Sequence, residues 1–274
     1  VGDTFRGFSA LKPPGVPDPL TITHINDFPY MITENAWTQP NRFRAEWPFL
    51  VATYGSMMGV DGWDFFSLKG EVWSTQFRRW EVSTPVVFGQ FPAAALIFRR
   101  GDVAKAGVAV KEQHTLEDLY ALQDDTWVSL IGDREANADA GDAEADPLAF
   151  FVGKVKHVIG DSSKEPESVE LDRYIDRQAN TVTSMTGELT WRTERGVVTV
   201  DTPRAQGACG FLGGAGRIDL GSVVIESENE YAVVLVVSLD GKPLAASGKI
   251  LIQAATEDLY YGFATEAKGT FRKV

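Results

Sequence analysis

The pattern of apolar and polar positions divides the chain into an α/β part followed by a β part. Residues 28–33 are apolar and partly β-branched, which predicts a buried strand. Residues 42–58 carry apolar side chains at helical spacing, and Gly59 follows them as a C-cap. A second strand is predicted over 62–68 and a second helix over 86–98, before Gly101. The order strand, helix, strand, helix predicts parallel α/β units.

Beyond residue 150 the chain consists of short apolar runs separated by turn residues. This pattern is typical of an antiparallel β-sandwich, and Asp240-Gly241 is a hairpin turn signal between two runs. Candidate strands lie over 151–158, 181–184, 188–192, 197–201, 208–212, 221–227, 231–238 and 249–254.

We therefore expect an α/β plus all-β fold in three segments. Residues 1–105 form the α/β part, and residues 151–274 form the antiparallel β-sandwich domain. Residues 106–150 are interpreted as a linker with a short helix near residues 115–119 and an exposed acidic loop over 133–146.

Composition narrows the possible partners and cofactors. The 274 residues hold 26 Lys and Arg against 38 Asp and Glu, a net charge of −12 that disfavours nucleic acid and anionic lipid surfaces. No apolar run reaches the roughly 18 residues of a membrane span. The single Cys209 excludes an internal disulfide or a CxxC motif. The histidines are scattered without metal-ligand spacing, so we expect no metal and no cofactor; they are His24, His114 and His157.

Glu34 is the leading candidate for chemistry. It comes directly after a predicted strand and before a helix, a position where βα barrels build their active sites. A carboxylate can attack an anomeric carbon, and indole rings stack on the apolar faces of sugars. On pattern alone a structural interpretation is favoured, in which Glu34 caps a turn and the nearby tryptophans, among them Trp37 and Trp73, belong to the core.

A resemblance to a known family favours the catalytic interpretation of Glu34 over the structural one. The stretches PYMITENAW (29–37), PNRFRAE (40–46), YG (54–55) and DGW (61–63) resemble the end of a clan A glycoside hydrolase barrel. They are similar to bacterial enzymes of the cellulase, agarase and β-galactosidase kind. Residues 85–103 resemble the segment after the eighth barrel strand, and residues 184–191 with 200–207 resemble the attached β domain.

The resemblance implies a fold and a set of site residues. The fold would be the last βα units of a TIM-type barrel followed by a β-sandwich. Glu34 takes the position of the nucleophile in a retaining β-glycoside hydrolase that acts on a carbohydrate. Residues expected to contact substrate are Asn35, Trp37, Asn41, Trp63 and Trp73.

The resemblance does not identify a residue of this chain that would be the proton donor of such an enzyme. In this clan it is a glutamate far upstream of the nucleophile, whereas none of the residues before Glu34 is a glutamate. We therefore expect this carboxyl group outside the sequence, in a missing N-terminal barrel part. Four other acidic residues are interpreted as structural: Glu46, expected on the solvent side of its helix, and Asp61, Asp64 and Glu71.

Two further hypotheses remain open. One is a non-catalytic carbohydrate-binding or assembly module that associates as a homo-oligomer, because two βα units leave sheet edges exposed. Alternatively, the β part only braces the barrel. No signal peptide follows Val1, so we expect an extracellular or periplasmic protein if the chain is processed, and a cytoplasmic one otherwise.

Overall fold

The structure is a computed structural model that describes residues 4–12, 23–26, 28–68, 70–74, 78–120, 146–160, 164–259, 263–267 and 270–273. The predicted acidic loop lies outside these residues except for Asp146. The first nine strands are β1 Thr4–Arg6, β2 Thr23–Ile25, β3 Met31–Asn35, β4 Gly62–Phe65, β5 Val108–Thr115, β6 Lys154–Gly160, β7 Lys164–Ser168, β8 Ile175–Asp176 and β9 Thr181–Thr183.

The remaining strands and the helices complete the list of elements. The strands are β10 Leu189–Arg192, β11 Val197–Asp201, β12 Ala205–Gly210, β13 Ile218–Asp219, β14 Val224–Ile225, β15 Ala232–Ser238, β16 Ile250–Ala255, β17 Phe263–Ala267 and β18 Thr270–Lys273. The helices are α1 Glu46–Leu50, α2 Ser56–Met58, α3 Pro85–Phe88, α4 Phe91–Arg100, α5 Leu116–Tyr120 and α6 Ala149–Val152.

Strands β3 and β4 pair in parallel and form a βαβ unit. A π-helical turn, Val51–Gly55, joins α1 to α2, so one continuous helix connects the two strands. This helix ends at Gly59 (φ 74°) and α4 ends at Gly101 (φ 61°), both left-handed, as their interpretation as C-caps requires. The predicted order strand, helix, strand, helix is confirmed. The described residues show this unit and no closed barrel.

A four-stranded mixed sheet has the order β2-β6-β5-β7. Strand β5 is parallel to β6 and antiparallel to β7. The sequence did not predict β5, because its second half, Lys111 to Thr115, is entirely polar. Residues Lys111 to Thr115 are a strand because they pair with β6, and not because apolar and polar residues alternate.

A seven-stranded antiparallel sheet forms most of the C-terminal part, in the order β16-β15-β12-β11-β10-β9-β8. The predicted antiparallel β region is therefore confirmed. One face of this sheet packs against α1 and α4, and Val233 and Leu235 of β15 belong to the same core cluster as Phe49 and Leu50 of α1. The other face is partly covered by the β13–β14 hairpin.

The main core runs without interruption from the N-terminal residue Leu11 through the helices to this sheet. Glu46 lies inside it with no exposed surface, so the expectation that it faces solvent is wrong. The face of α1 that carries Glu46 is covered by the N-terminal segment at Ser9 and by Tyr231 from the sheet region. Helical spacing alone could not indicate this cover.

Candidate functional site

The pairing of β3 with β4 contains a bulge at Glu34. Ile32 pairs with Trp63 and Asn35 pairs with Phe65, so two residues of β3 lie opposite one residue of β4. A bulge adds a residue to one strand and changes the direction in which the side chains point. In β3 it interrupts the alternation just before the strand ends.

The bulge leaves Glu34 on the side of the strand pair that faces away from the helices. Trp63 and Phe65 face the helices, since they line a cleft of about 150 Å³ together with residues of α1 and α4. Asp64 lies between them and is exposed, so it points to the opposite side. Thr33 and Glu34 are exposed as well. We call Thr33, Glu34 and Asp64 the open face; it carries two carboxyl groups.

The loop after β4, residues 66–84, begins and ends beside this face. The Phe66 N–H donates a hydrogen bond to the Asn35 carbonyl at 3.0 Å, at the end of β3. The Ser67 N–H donates to the Trp80 carbonyl at 2.6 Å, which returns the loop to its starting point. The loop is thereby anchored at the carboxyl end of both parallel strands.

Aromatic side chains of this loop are exposed to solvent. Trp73 is 51 % exposed and meets Phe88 edge to face, with ring centroids 6.1 Å apart. Trp80 is also exposed, but the guanidinium of Arg79 lies 4.5 Å above its ring and covers one face. Trp73 is therefore the better platform for a flat ligand such as a sugar ring.

Asn35 lies next to Glu34 at the end of β3. Its side-chain Oδ1 is buried and receives no hydrogen bond from any residue that the structure describes. Asn35 is paired with Phe65 across the two strands, and paired residues point to the same side of a sheet. The Asn35 side chain therefore points away from the open face.

The other predicted substrate residues have contacts within the protein. The Trp37 indole N–H donates to Glu46 Oε1 at 3.1 Å, and its ring stacks on Trp47 at 5.8 Å. The Asn41 side chain donates to the Phe8 carbonyl at 3.0 Å. Of the predicted set, the structure brings Glu34, Asn35 and Trp73 to one end of the βαβ unit, while Trp37, Asn41 and Trp63 pack or hydrogen-bond elsewhere.

Glu46 is a buried carboxyl group that accepts a hydrogen bond from Trp37, one of the predicted substrate residues. Its carboxylate accepts hydrogen bonds from the Ser9 hydroxyl and the Ala10 N–H, both at 2.6 Å, and from Trp37 and Tyr231, both at 3.1 Å. Burial raises the pKa of this carboxyl group to about 7, and the hydrogen bonds oppose the shift. The group ties the N-terminal segment, α1 and the large sheet together.

Two features of this region could not be predicted from the sequence. The bulge has no distinct motif, although the two polar residues Thr33 and Glu34 at the end of an apolar run are compatible with one. Asp64 was interpreted as structural, and only the strand register brings it opposite the bulge.

Among the described residues no helix is both long enough and apolar enough to cross a bilayer. Comparison of the chain with protein families, with characterised proteins and with solved structures finds no match. The function is therefore argued from the site itself.

Proposed function

We propose that the chain is a carbohydrate-active protein, a retaining β-glycoside hydrolase in which Glu34 is the nucleophile. The observation that carries the proposal is the bulge, which leaves Glu34 exposed at the carboxyl end of two parallel strands. That end is where βα enzymes carry their catalytic groups. The finer fold assignment, the last βα units of a TIM-type barrel followed by a β-sandwich, belongs to the same proposal.

The mechanism is double displacement. The Glu34 carboxylate attacks the anomeric carbon and forms a glycosyl ester, while a second carboxyl group protonates the departing oxygen. Water then attacks the anomeric carbon, the same second group accepts a proton from it, and Glu34 is released as a carboxylate. Retaining enzymes hold the two carboxyl groups about 5 Å apart.

The aromatic loop supports a sugar as the ligand. Trp73 presents a half-exposed indole on a loop anchored beside the open face. An exposed indole matches the apolar face of a pyranose, and a carboxylate matches its polar edges. Trp73 contacts Phe88, which packs on Phe91. The exposed Phe88 extends the same surface.

A second candidate function is carbohydrate binding without turnover. The exposure of Asp64 favours this function, because Asp64 is the carboxylate that the strand register brings opposite the bulge and its side chain is exposed to solvent. A general acid normally requires a raised pKa in a protected position. This module would use the Trp73 platform and leave the glycosidic bond intact.

Hydrolysis of aryl β-glycosides and β-linked polysaccharides by the full chain tests the proposal. We expect Glu34→Gln to lower kcat/KM by about 10⁴-fold, and azide to restore turnover in Glu34→Ala with inverted product stereochemistry. Glu71→Gln is the matched control, because Glu71 is an exposed glutamate in the neighbouring loop. Equal activity of wild type and Glu34→Gln would remove Glu34 from the mechanism, and sugar binding without turnover would establish the second candidate.

A further inference from the structure

A cluster of one carboxylate and two imidazoles lies on the mixed sheet, away from the open face. Glu112 and His114 are two residues apart on β5, so they lie on the same side of the strand. His157 on β6 is the ladder partner of Glu112 and shares that side. The parallel pairing thus assembles three metal-ligand side chains from residues 43 apart in sequence.

One ligand atom from each of the three side chains lies within 4.8 Å of the other two. Glu112 Oε2 lies 3.5 Å from His157 Nε2 and 3.8 Å from His114 Nε2. Two atoms that each lie about 2.1 Å from a tetrahedral zinc ion are about 3.4 Å apart. His157 Nδ1 and His114 Nε2 share a hydrogen bond of 2.8 Å, and the two rings stack with centroids 4.8 Å apart. A zinc ion bound by His114 Nε2 and His157 Nε2 takes the place of this hydrogen bond.

Burial gives the cluster a reason to hold a cation. The Glu112 side chain is 2 % exposed, and those of His157 and His114 are 11 % and 18 % exposed. Opposite charge stabilises an ionised carboxyl group in such a position. A divalent cation shared by the three side chains adds such charge beside the contacts that Glu112 already makes.

The described lysines Lys111 and Lys156 lie on the side of the sheet away from the cluster. Lys111 alternates to the opposite side of β5, where it pairs with Glu167 at 3.5 Å. Lys156 alternates to the opposite side of β6, where it donates to Asn26 Oδ1 at 3.0 Å. On the side of the cluster, the preceding residues of both strands are buried valines, Val110 and Val155.

The ligand types select the metal. Imidazole nitrogens favour Zn²⁺ and neighbouring transition metals, whereas Mg²⁺ and Ca²⁺ favour oxygen ligands. Two histidines and one glutamate leave a fourth tetrahedral position for water. We propose that Glu112, His114 and His157 form a binding site for one Zn²⁺ ion that bridges β5 and β6. The spacing of the histidines along the chain predicts no metal, because strand pairing, and not a local motif, creates this site.

Zinc binding to the full chain, stripped of metal with a chelator, tests the proposal. We expect one equivalent of Zn²⁺ to bind by calorimetry, and Co²⁺ in its place to give the visible absorption bands of a tetrahedral site. His114→Gln and His157→Gln should weaken binding by about a hundredfold or more. His24→Gln is the matched control, since His24 is a buried histidine on β2 of the same sheet that is not part of the cluster.

A second measurement separates lost binding from lost folding. Zn²⁺ should raise the Tm of the wild type and of His24→Gln, because a ligand that binds the folded state stabilises it. The Tm of His114→Gln should not respond, and His114 is the most exposed of the three, so its variant is expected to fold. The proposal is overturned if the full chain binds no zinc, or if both cluster variants bind it as tightly as the control does.

Discussion

Burial and hydrogen bonding shift the pKa of the Glu46 carboxyl group in opposite directions. Four donors surround it, yet burial dominates and raises its pKa to about 7. Between pH 4.5 and 7 the folded state therefore holds a proton that the unfolded chain releases. Because the folded state binds more protons in this window, stability due to Glu46 falls as the pH rises.

The Glu46→Gln variant should remove this dependence. We expect the free energy of unfolding of the wild type, relative to the variant, to fall by about 3 kcal/mol between pH 4.5 and pH 7. Urea unfolding of both proteins at several pH values measures the difference. A difference that does not change with pH would show that Glu46 has an ordinary pKa in the folded state.

The contacts of individual side chains were the hardest feature to predict from the sequence. Glu46 lies in a segment of helical spacing, and nothing local indicates that Ser9 and Tyr231, far away in the chain, cover it. Glu34 was singled out because it follows a predicted apolar strand and because of the family resemblance, and its role as the nucleophile stays a prediction. The roles of Trp37 and Asn41 depend on partners that the sequence does not reveal, and their contact with substrate stays a prediction.

At the scale of elements, local signals predicted helix ends well. Gly59 and Gly101 both end their helices in the left-handed conformation, for which glycine carries no steric cost. The short strands of the large sheet were predicted close to their positions, because alternation and turn residues are local. Strand β5 was missed, and the register that forms the bulge and the Glu112 cluster is a property of pairs of strands.

Substitution at Gly101 should measure how much the glycine at the end of α4 contributes to the free energy of unfolding. The position has φ 61° and open space around an added Cβ, so Gly101→Ala tests the backbone conformation alone. We expect a loss of about 1 kcal/mol in the free energy of unfolding. Gly214→Ala is the control, because its surroundings are equally open and its φ is not in the left-handed region. Equal losses in the two variants would contradict the explanation.

At the scale of the whole molecule, two buried groups on different elements give stability opposite pH dependences. Burial, and then the charges of Lys154 and Lys156, lower the pKa of His24 to about 4. Below pH 6.5 the unfolded chain therefore binds a proton that the folded state excludes, and the stability due to His24 falls as the pH decreases. Glu46 has the reverse effect over most of the same range.

We expect these two contributions to offset one another in the wild type between about pH 4.5 and 6.5. The Glu46→Gln variant should expose the His24 contribution and lose stability on acidification through this window. In the double variant Glu46→Gln, His24→Gln that loss should be smaller. Thermal unfolding across the pH range distinguishes the three proteins, and identical profiles would refute the assignment of both groups.

The large architecture was predictable in outline. An α/β part precedes an antiparallel β part, as predicted, but the large antiparallel sheet begins at β8. The strand predicted over 151–158 lies instead in the mixed sheet, where β6 pairs in parallel with β2 and β5. The sequence did not indicate that one continuous core joins the two, nor that helices α1 and α4 form the layer against the large sheet. Those features depend on long-range packing of surfaces whose partners are distant in the chain.

The most direct test of the proposed function is to trap the covalent intermediate. A 2-deoxy-2-fluoro-β-glycoside with a good leaving group forms the glycosyl ester and slows its hydrolysis, so the full chain should gain the mass of one fluoroglycosyl group. Peptide mass spectrometry should locate this group on Glu34, and Glu34→Gln should remain unlabelled. Turnover of the parent glycoside with no label on Glu34, or a label on another residue, would contradict the account.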